Sequence, residues 1–173
     1  MAAEGADDDT RPVAGFFGKL PGSGDFVDRG LPPGFRRQWD RWLTSHVAPR
    51  ARAGARFPVG GLRFRLVSGR ATAGGVILPS QDSVGRVFPL SLLVIAEGGI
   101  VPAAIDRWCD AAVAGFDPAV EPDTLWDRLD ALAPPEVVAG AGEPCLTLWS
   151  AGRRPERFEE DEARLTELLP CPD

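Results

Sequence analysis

The chain has 173 residues, 44% apolar and 25% charged, with a formal net charge of −6. That length supports one domain whose interior is large enough to fold without metal or disulfide staples. The acidic balance, with a pI near 4.9, argues against a nucleic-acid binder. No apolar run approaches the ~20 residues of a membrane-spanning helix, so no membrane insertion is expected.

Residues 1–12 are acidic and small, carry no basic leader, and read as a disordered tail ahead of a single domain over 13–173. Ala14 to Leu20 reads as a first strand through Phe16, Phe17 and Leu20, closed by the turn residues Pro21-Gly22. Phe35, Trp39, Trp42, Leu43 and Val47 recur on one helical face, predicting a helix over 33–47 that begins at Pro32-Pro33. Arg36, Arg37 and Arg41 fall on its polar side, and Arg50 and Arg52 are expected just beyond its end. Three strands are expected next, over 62–67, 73–79 and 87–96. They are too close together for helical crossovers and should pair antiparallel, on the Trp39 and Trp42 face of the first helix. Pro89 has no N–H for a ladder and belongs at a strand start, an edge or a bulge.

Two helices follow. One opens at Pro102 with Ile105, Trp108, Cys109, Ala112 and Phe116 on a common face. The next is capped by Asp123, with Leu125, Trp126, Leu129 and Leu132 inward. A last strand over 143–150 and an acidic helix over 158–169 complete the pattern. The fold class expected from this order is α+β, an antiparallel sheet of about four to five strands flanked by helices.

Charge is unevenly spread along the chain. Residues 11–70 hold twelve basic and three acidic side chains, whereas residues 156–173 hold two basic and seven acidic. Arginine supplies 18 of the 19 basic residues, with Lys19 the exception. The segment from Arg36 to Arg70 interleaves arginine with Trp39, Trp42 and Phe64, but the helix face and the strand core claim those aromatics.

Motifs for common chemistries are missing. Cys109, Cys145 and Cys171 are odd in number and far apart, forming neither a disulfide framework nor a Cys-x-x-Cys metal knuckle. His46 is the one histidine, beside the apolar face of the first helix, and no Gly-x-Ser-x-Gly elbow accompanies it. Gly15-Phe-Phe-Gly18-Lys19-Leu20 has two residues between its glycines where a phosphate loop has four, and Leu20 stands where Ser or Thr would hold magnesium. No cofactor is expected. The remaining candidates are carboxylates in two glycine- and proline-punctuated runs: Asp25 and Asp28 in the first, Asp82 in the second. Asp25 and Asp82 would serve a small hydrolase if they met in a cleft, or they brace their own turns through backbone N–H groups.

Those two runs also carry a family resemblance. Gly18-Lys-Leu-Pro-Gly-Ser-Gly-Asp-Phe-Val27, Arg29-Gly-Leu-Pro32 and Trp39-Asp-Arg-Trp42 resemble the opening signature of TagF proteins. Leu62-Arg-Phe-Arg-Leu66, Gly75-Val-Ile-Leu-Pro-Ser-Gln-Asp-Ser-Val-Gly-Arg86 and Phe88-Pro-Leu90 resemble the second. The resemblance covers roughly residues 15–95 and departs at Gly22 and at Leu62, where the family often has Trp. It implies a cytoplasmic, non-enzymatic accessory protein of the bacterial type VI secretion system. Such a protein is a post-translational negative regulator whose partner is the forkhead-associated scaffold protein of the apparatus. Because loops held by a rigid sheet are common recognition surfaces, the polar residues Lys19, Asp25, Arg29, Asp82 and Arg86 are the expected charged rim of a partner-binding site.

Overall fold

The computed structural model describes residues 11–159 and 162–172. The expected N-terminal tail lies outside the described residues for positions 1–10. In chain order the elements are β1 (Val13–Lys19), β2 (Phe26–Arg29), α1 (Pro33–Trp42), a π-helical turn (Leu43–Val47), α2 (Ala48–Arg52), β3 (Leu62–Ser68), β4 (Ala71–Leu78) and β5 (Leu90–Glu97). They continue with α3 (Pro102–Ala114), α4 (Pro122–Asp130), β6 (Cys145–Ser150), β7 (Glu156–Arg157) and α5 (Ala163–Leu168).

The strands form one sheet in the order β2-β1-β5-β4-β3-β6-β7, with every pair antiparallel. The fold is α+β as expected, but the sheet has seven strands rather than four to five. The two strands that the sequence hid are the edges. β2 has four residues and β7 two, too few for an alternating pattern to register. The meander of β3, β4 and β5 is present as expected, and β5 starts at Leu90, immediately after Pro89.

Helices cover both faces of the sheet, which explains why its central strands are apolar at nearly every position. On one face Phe17, Leu93, Ile77, Phe64 and Leu148 pack with Trp39 and Leu43 of the first helical run and with Leu165 of α5. On the other, Phe16, Leu92, Val76 and Trp149 pack with Ile105 and Trp108 of α3 and with Leu125 and Leu129 of α4. Neighbouring residues such as Phe16 and Phe17 therefore enter opposite cores, as the two-residue strand repeat requires. Gly74 provides the space for α3, since a Cβ there would lie 2.5 Å from Cδ1 of Ile105. Trp39 is buried against Phe64, with ring centroids 4.3 Å apart, and its indole N–H donates to Ser91 Oγ at 2.9 Å.

The helix expected over 33–47 is longer and interrupted. Its register widens at Leu43–Val47, where the Ala48 N–H donates to the Leu43 carbonyl, and the run then continues to Arg52. Pro49 accounts for the change: it has no N–H to return, and its ring crowds the carbonyl one turn earlier. Arg50 and Arg52 thus lie inside α2. Asp123 does not cap α4. The cap position is Glu121, Pro122 opens the helix, and no side chain caps it. Trp126 is partly exposed rather than inward, and its indole N–H donates to the Ala14 carbonyl at 3.1 Å.

Candidate functional site

The loop after β1 and the loop between β4 and β5 meet at one end of the sheet. Their approach begins in the β1–β5 pairing and needs Gly18, whose φ is +145° and where a Cβ would sit 2.1 Å from the Pro89 carbonyl oxygen. Lys19, the last residue of β1, turns its ammonium inward to Asp82 Oδ2 at 2.9 Å. Its carbonyl accepts from Ser80 Oγ at 2.6 Å. Asp82 Oδ1 receives the N–H groups of Val84 at 3.1 Å and Arg86 at 2.8 Å, and Oδ2 also receives Arg86 Nε at 2.6 Å. Arg86 then crosses to the first loop, donating from Nη2 to the Gly24 carbonyl at 2.7 Å, while the Ser83 N–H donates to the Ser23 carbonyl at 2.9 Å. Two segments about sixty residues apart are thereby fastened into one surface.

Lys19 and Asp82 are 6% and 1% exposed, so neither stands on a charged rim as expected from sequence. A buried carboxylate is tolerable when donors fill its lone pairs and a cation faces it. Burial alone would raise the Asp82 carboxyl. The Lys19 ammonium, with the N–H groups of Arg86 and Val84 and the Arg86 guanidinium, outweighs that effect and holds it far below the usual carboxylate range. The Lys19 ammonium also lies 5.0 Å from the Phe26 ring centroid, and Phe26 meets Phe88 edge-on at 4.8 Å.

Of the other expected rim residues, Asp25 is exposed and its Oδ1 accepts the Phe26 N–H at 2.7 Å. Arg86 keeps its side chain 62% exposed while holding Asp82. Arg29 belongs elsewhere: at the far end of β2 its Nε donates to Asp123 Oδ1 on α4 at 2.8 Å. The structure therefore brings together Lys19, Asp82 and Arg86, leaves Asp25 on the adjoining loop, and separates Arg29. Sequence reasoning missed the exposed apolar members of the surface, Val84 at 73% and Phe26 at 42%. It also missed the fastening role of Ser23 and Ser80. The spacing Asp82-Ser-Val-Gly-Arg86 held a signal for the turn, because an Asp side chain reaching N–H groups two and four residues ahead needs a glycine such as Gly85, φ +83°, to reverse the chain. Beside these loops lies a cleft of about 350 Å³ with Pro21, Pro79, Gln81, Val87, Phe116 and Pro118 on its walls.

For acid–base chemistry the arrangement offers little. Asp82 has its oxygens engaged and holds no proton near neutral pH, and Asp25 bonds the backbone of its own loop. Each carboxylate braces its own turn, so the hydrolase alternative built on the pair loses its geometric support. His46 Nδ1 lies 2.5 Å from Glu162 Oε1, with its ring close to Trp42 and Phe158. Among the described residues no group of three or more His, Cys, Asp or Glu side chains is placed to hold a metal ion. The cysteines are free, and burial pushes the Cys109 thiol up to about 12, the state of an inert packed residue. Among the same residues no helix is long and apolar enough to cross a membrane.

Comparison with known proteins bears on the whole surface. Residues 15–133 match the family described as the TagF N-terminal domain, type VI secretion system-associated. The chain is similar to the crystal structure of PA0076 from Pseudomonas aeruginosa PAO1, with a TM-score of 0.55 and 26% identity over 82% of this chain and 72% of that one. No curated protein sequence matches the chain. Since the match takes in both loops, their clamp and well over half of the residues, the chain belongs to the TagF family of type VI secretion system-associated proteins.

Proposed function

We propose that this domain is a cytoplasmic, non-enzymatic binding module that restrains type VI secretion after translation by engaging the forkhead-associated scaffold protein of the apparatus. The observation that carries the reading is the clamped pair of loops. Both family signatures pass through these loops, whose backbones are fastened to each other, and Phe26, Val84, Asp25 and Arg86 remain at the surface beside a proline-lined cleft. A surface ordered before binding loses little conformational entropy when a partner docks, which suits recognition. Its mix of exposed apolar and charged side chains suits a contact with an apolar centre and a polar rim.

The test is genetic and biochemical. Deleting the protein should raise secretion while the abundance of apparatus proteins stays constant. The purified domain should bind the purified forkhead-associated scaffold, and Val84→Asp should weaken binding about tenfold or more and relieve the restraint without loss of fold. Unchanged secretion on deletion, with no binding at low salt, would remove the proposal.

A further inference from the structure

A second cavity, of about 540 Å³, lies on the far side of the sheet's order from β2, between the segment after α2, the β6–β7 turn and α5. Its charge is unusual for an acidic chain. Arg56, Arg153, Arg154 and Arg164 line it against only Glu156 and Glu167. Arg164 is 9% exposed and forms the floor: Nη1 holds Glu167 at 2.8 Å and Glu156 more loosely at 3.6 Å, and Nη2 donates to the Arg154 carbonyl at 3.2 Å. Its Nε is buried and has no hydrogen-bond partner among the described residues. The exposed side chains of Arg56, Arg153 and Arg154 form no ion pair with any described residue. Phe57, Pro58 and Leu168 supply apolar wall, and Val59, next to Pro58, is 95% exposed.

We infer that this arginine-lined cavity is a docking site for an acidic peptide segment of a protein partner, separate from the clamped loops. Charge complementarity selects the occupant. Three guanidinium groups without carboxylates attract anionic side chains and can each bind one in a forked geometry. They are spread over two chain segments rather than aimed at one point, and the cavity exceeds what a single small oxyanion fills. Acidic side chains alternating with apolar ones satisfy both the arginines and the wall of Phe57, Pro58 and Leu168. Glu156 and Glu167, largely exposed, raise the cost of any concentrated negative charge, which disfavours a lone phosphate relative to spaced carboxylates.

Fluorescence anisotropy with the full chain and a labelled peptide alternating Asp or Glu with Leu or Phe tests this, beside the same peptide with Asn and Gln for its acids. The acidic peptide should bind, weaken as salt rises from about 0.05 to 0.3 M, and lose about tenfold or more in affinity with Arg153→Glu/Arg154→Glu. Val84→Asp should leave peptide binding unchanged, separating this site from the loops. Equal binding of the two peptides, no binding at low salt, or no effect of the arginine variants would overturn the inference. So would full displacement by millimolar inorganic phosphate, which would mark a small-oxyanion site instead.

Discussion

At the Lys19–Asp82–Arg86 clamp each charge faces a partner, whereas in the second cavity guanidinium groups outnumber carboxylates and Arg56, Arg153 and Arg154 form no ion pair with any described residue. Both clusters use arginine and carboxylate, so composition does not distinguish them. Burial does. Lys19 and Asp82 at the centre of the clamp are enclosed, and an unpaired charge there would be costly, so the loops are held in one arrangement. At the mouth of the arginine cavity Arg56, Arg153 and Arg154 are exposed, water can solvate them, and nothing in folding requires them to be neutralised. A saturated buried cluster serves the shape of a surface, and an unsaturated open one is available to a ligand.

Four substitutions would break or sharpen that contrast. The largest effect should come from the core beneath both regions: Trp39→Ala is expected to cost about 3–5 kcal/mol in denaturant unfolding, because it empties the packing on Phe64 and frees Ser91. Next is Asp82→Asn, which leaves the buried Lys19 ammonium without a counter-charge and should lower Tm by several degrees at neutral pH. It should also change the response to acid. A carboxyl whose folded pKa is depressed gives stability that is complete above its unfolded value near 4 and lost as pH falls through the folded one. Acid unfolding followed by circular dichroism should therefore be less steep below about pH 4 in the variant than in the parent. If the curves have the same slope, the carboxylate is not bound as described.

The arginine cavity should behave in the opposite way. Arg153→Ala with Arg154→Ala removes two charges that fasten nothing, so stability should move by no more than about 0.5 kcal/mol, with any gain arising from relieved repulsion. A loss comparable with that of Asp82→Asn would mean that these arginines serve the fold.

Much of this architecture was legible in the sequence because its central strands are short apolar runs bounded by turn residues and its main helices present one apolar stripe. The meander of β3 to β5 and the inward Trp39 follow from those patterns. β2 and β7 are too short to carry a period, and the π-helical turn depends on Pro49 acting against a carboxyl-terminal continuation of the same helix. The loops were identifiable from their glycines and prolines, and Asp25 and Arg86 are exposed as expected, but Lys19 and Asp82 are buried. Lys19 and Asp82 look like surface residues when read separately, and only their contact across 63 positions makes burial affordable. Arg56 and Arg153 give a similar lesson, since a basic segment and an otherwise acidic one meet at a single cavity. Charge counted along the chain cannot show where cations gather in space.

The most direct test of the central claim is the affinity of the purified domain for the purified forkhead-associated scaffold, measured beside melting curves for the parent and for Val84→Asp. Val84 binds Asp82 only through its backbone N–H and its side chain is exposed, so the charge should leave Tm within a degree or two while weakening binding about tenfold or more. Binding indistinguishable from the parent, with the fold intact, would contradict the assignment of the clamped loops as the partner surface.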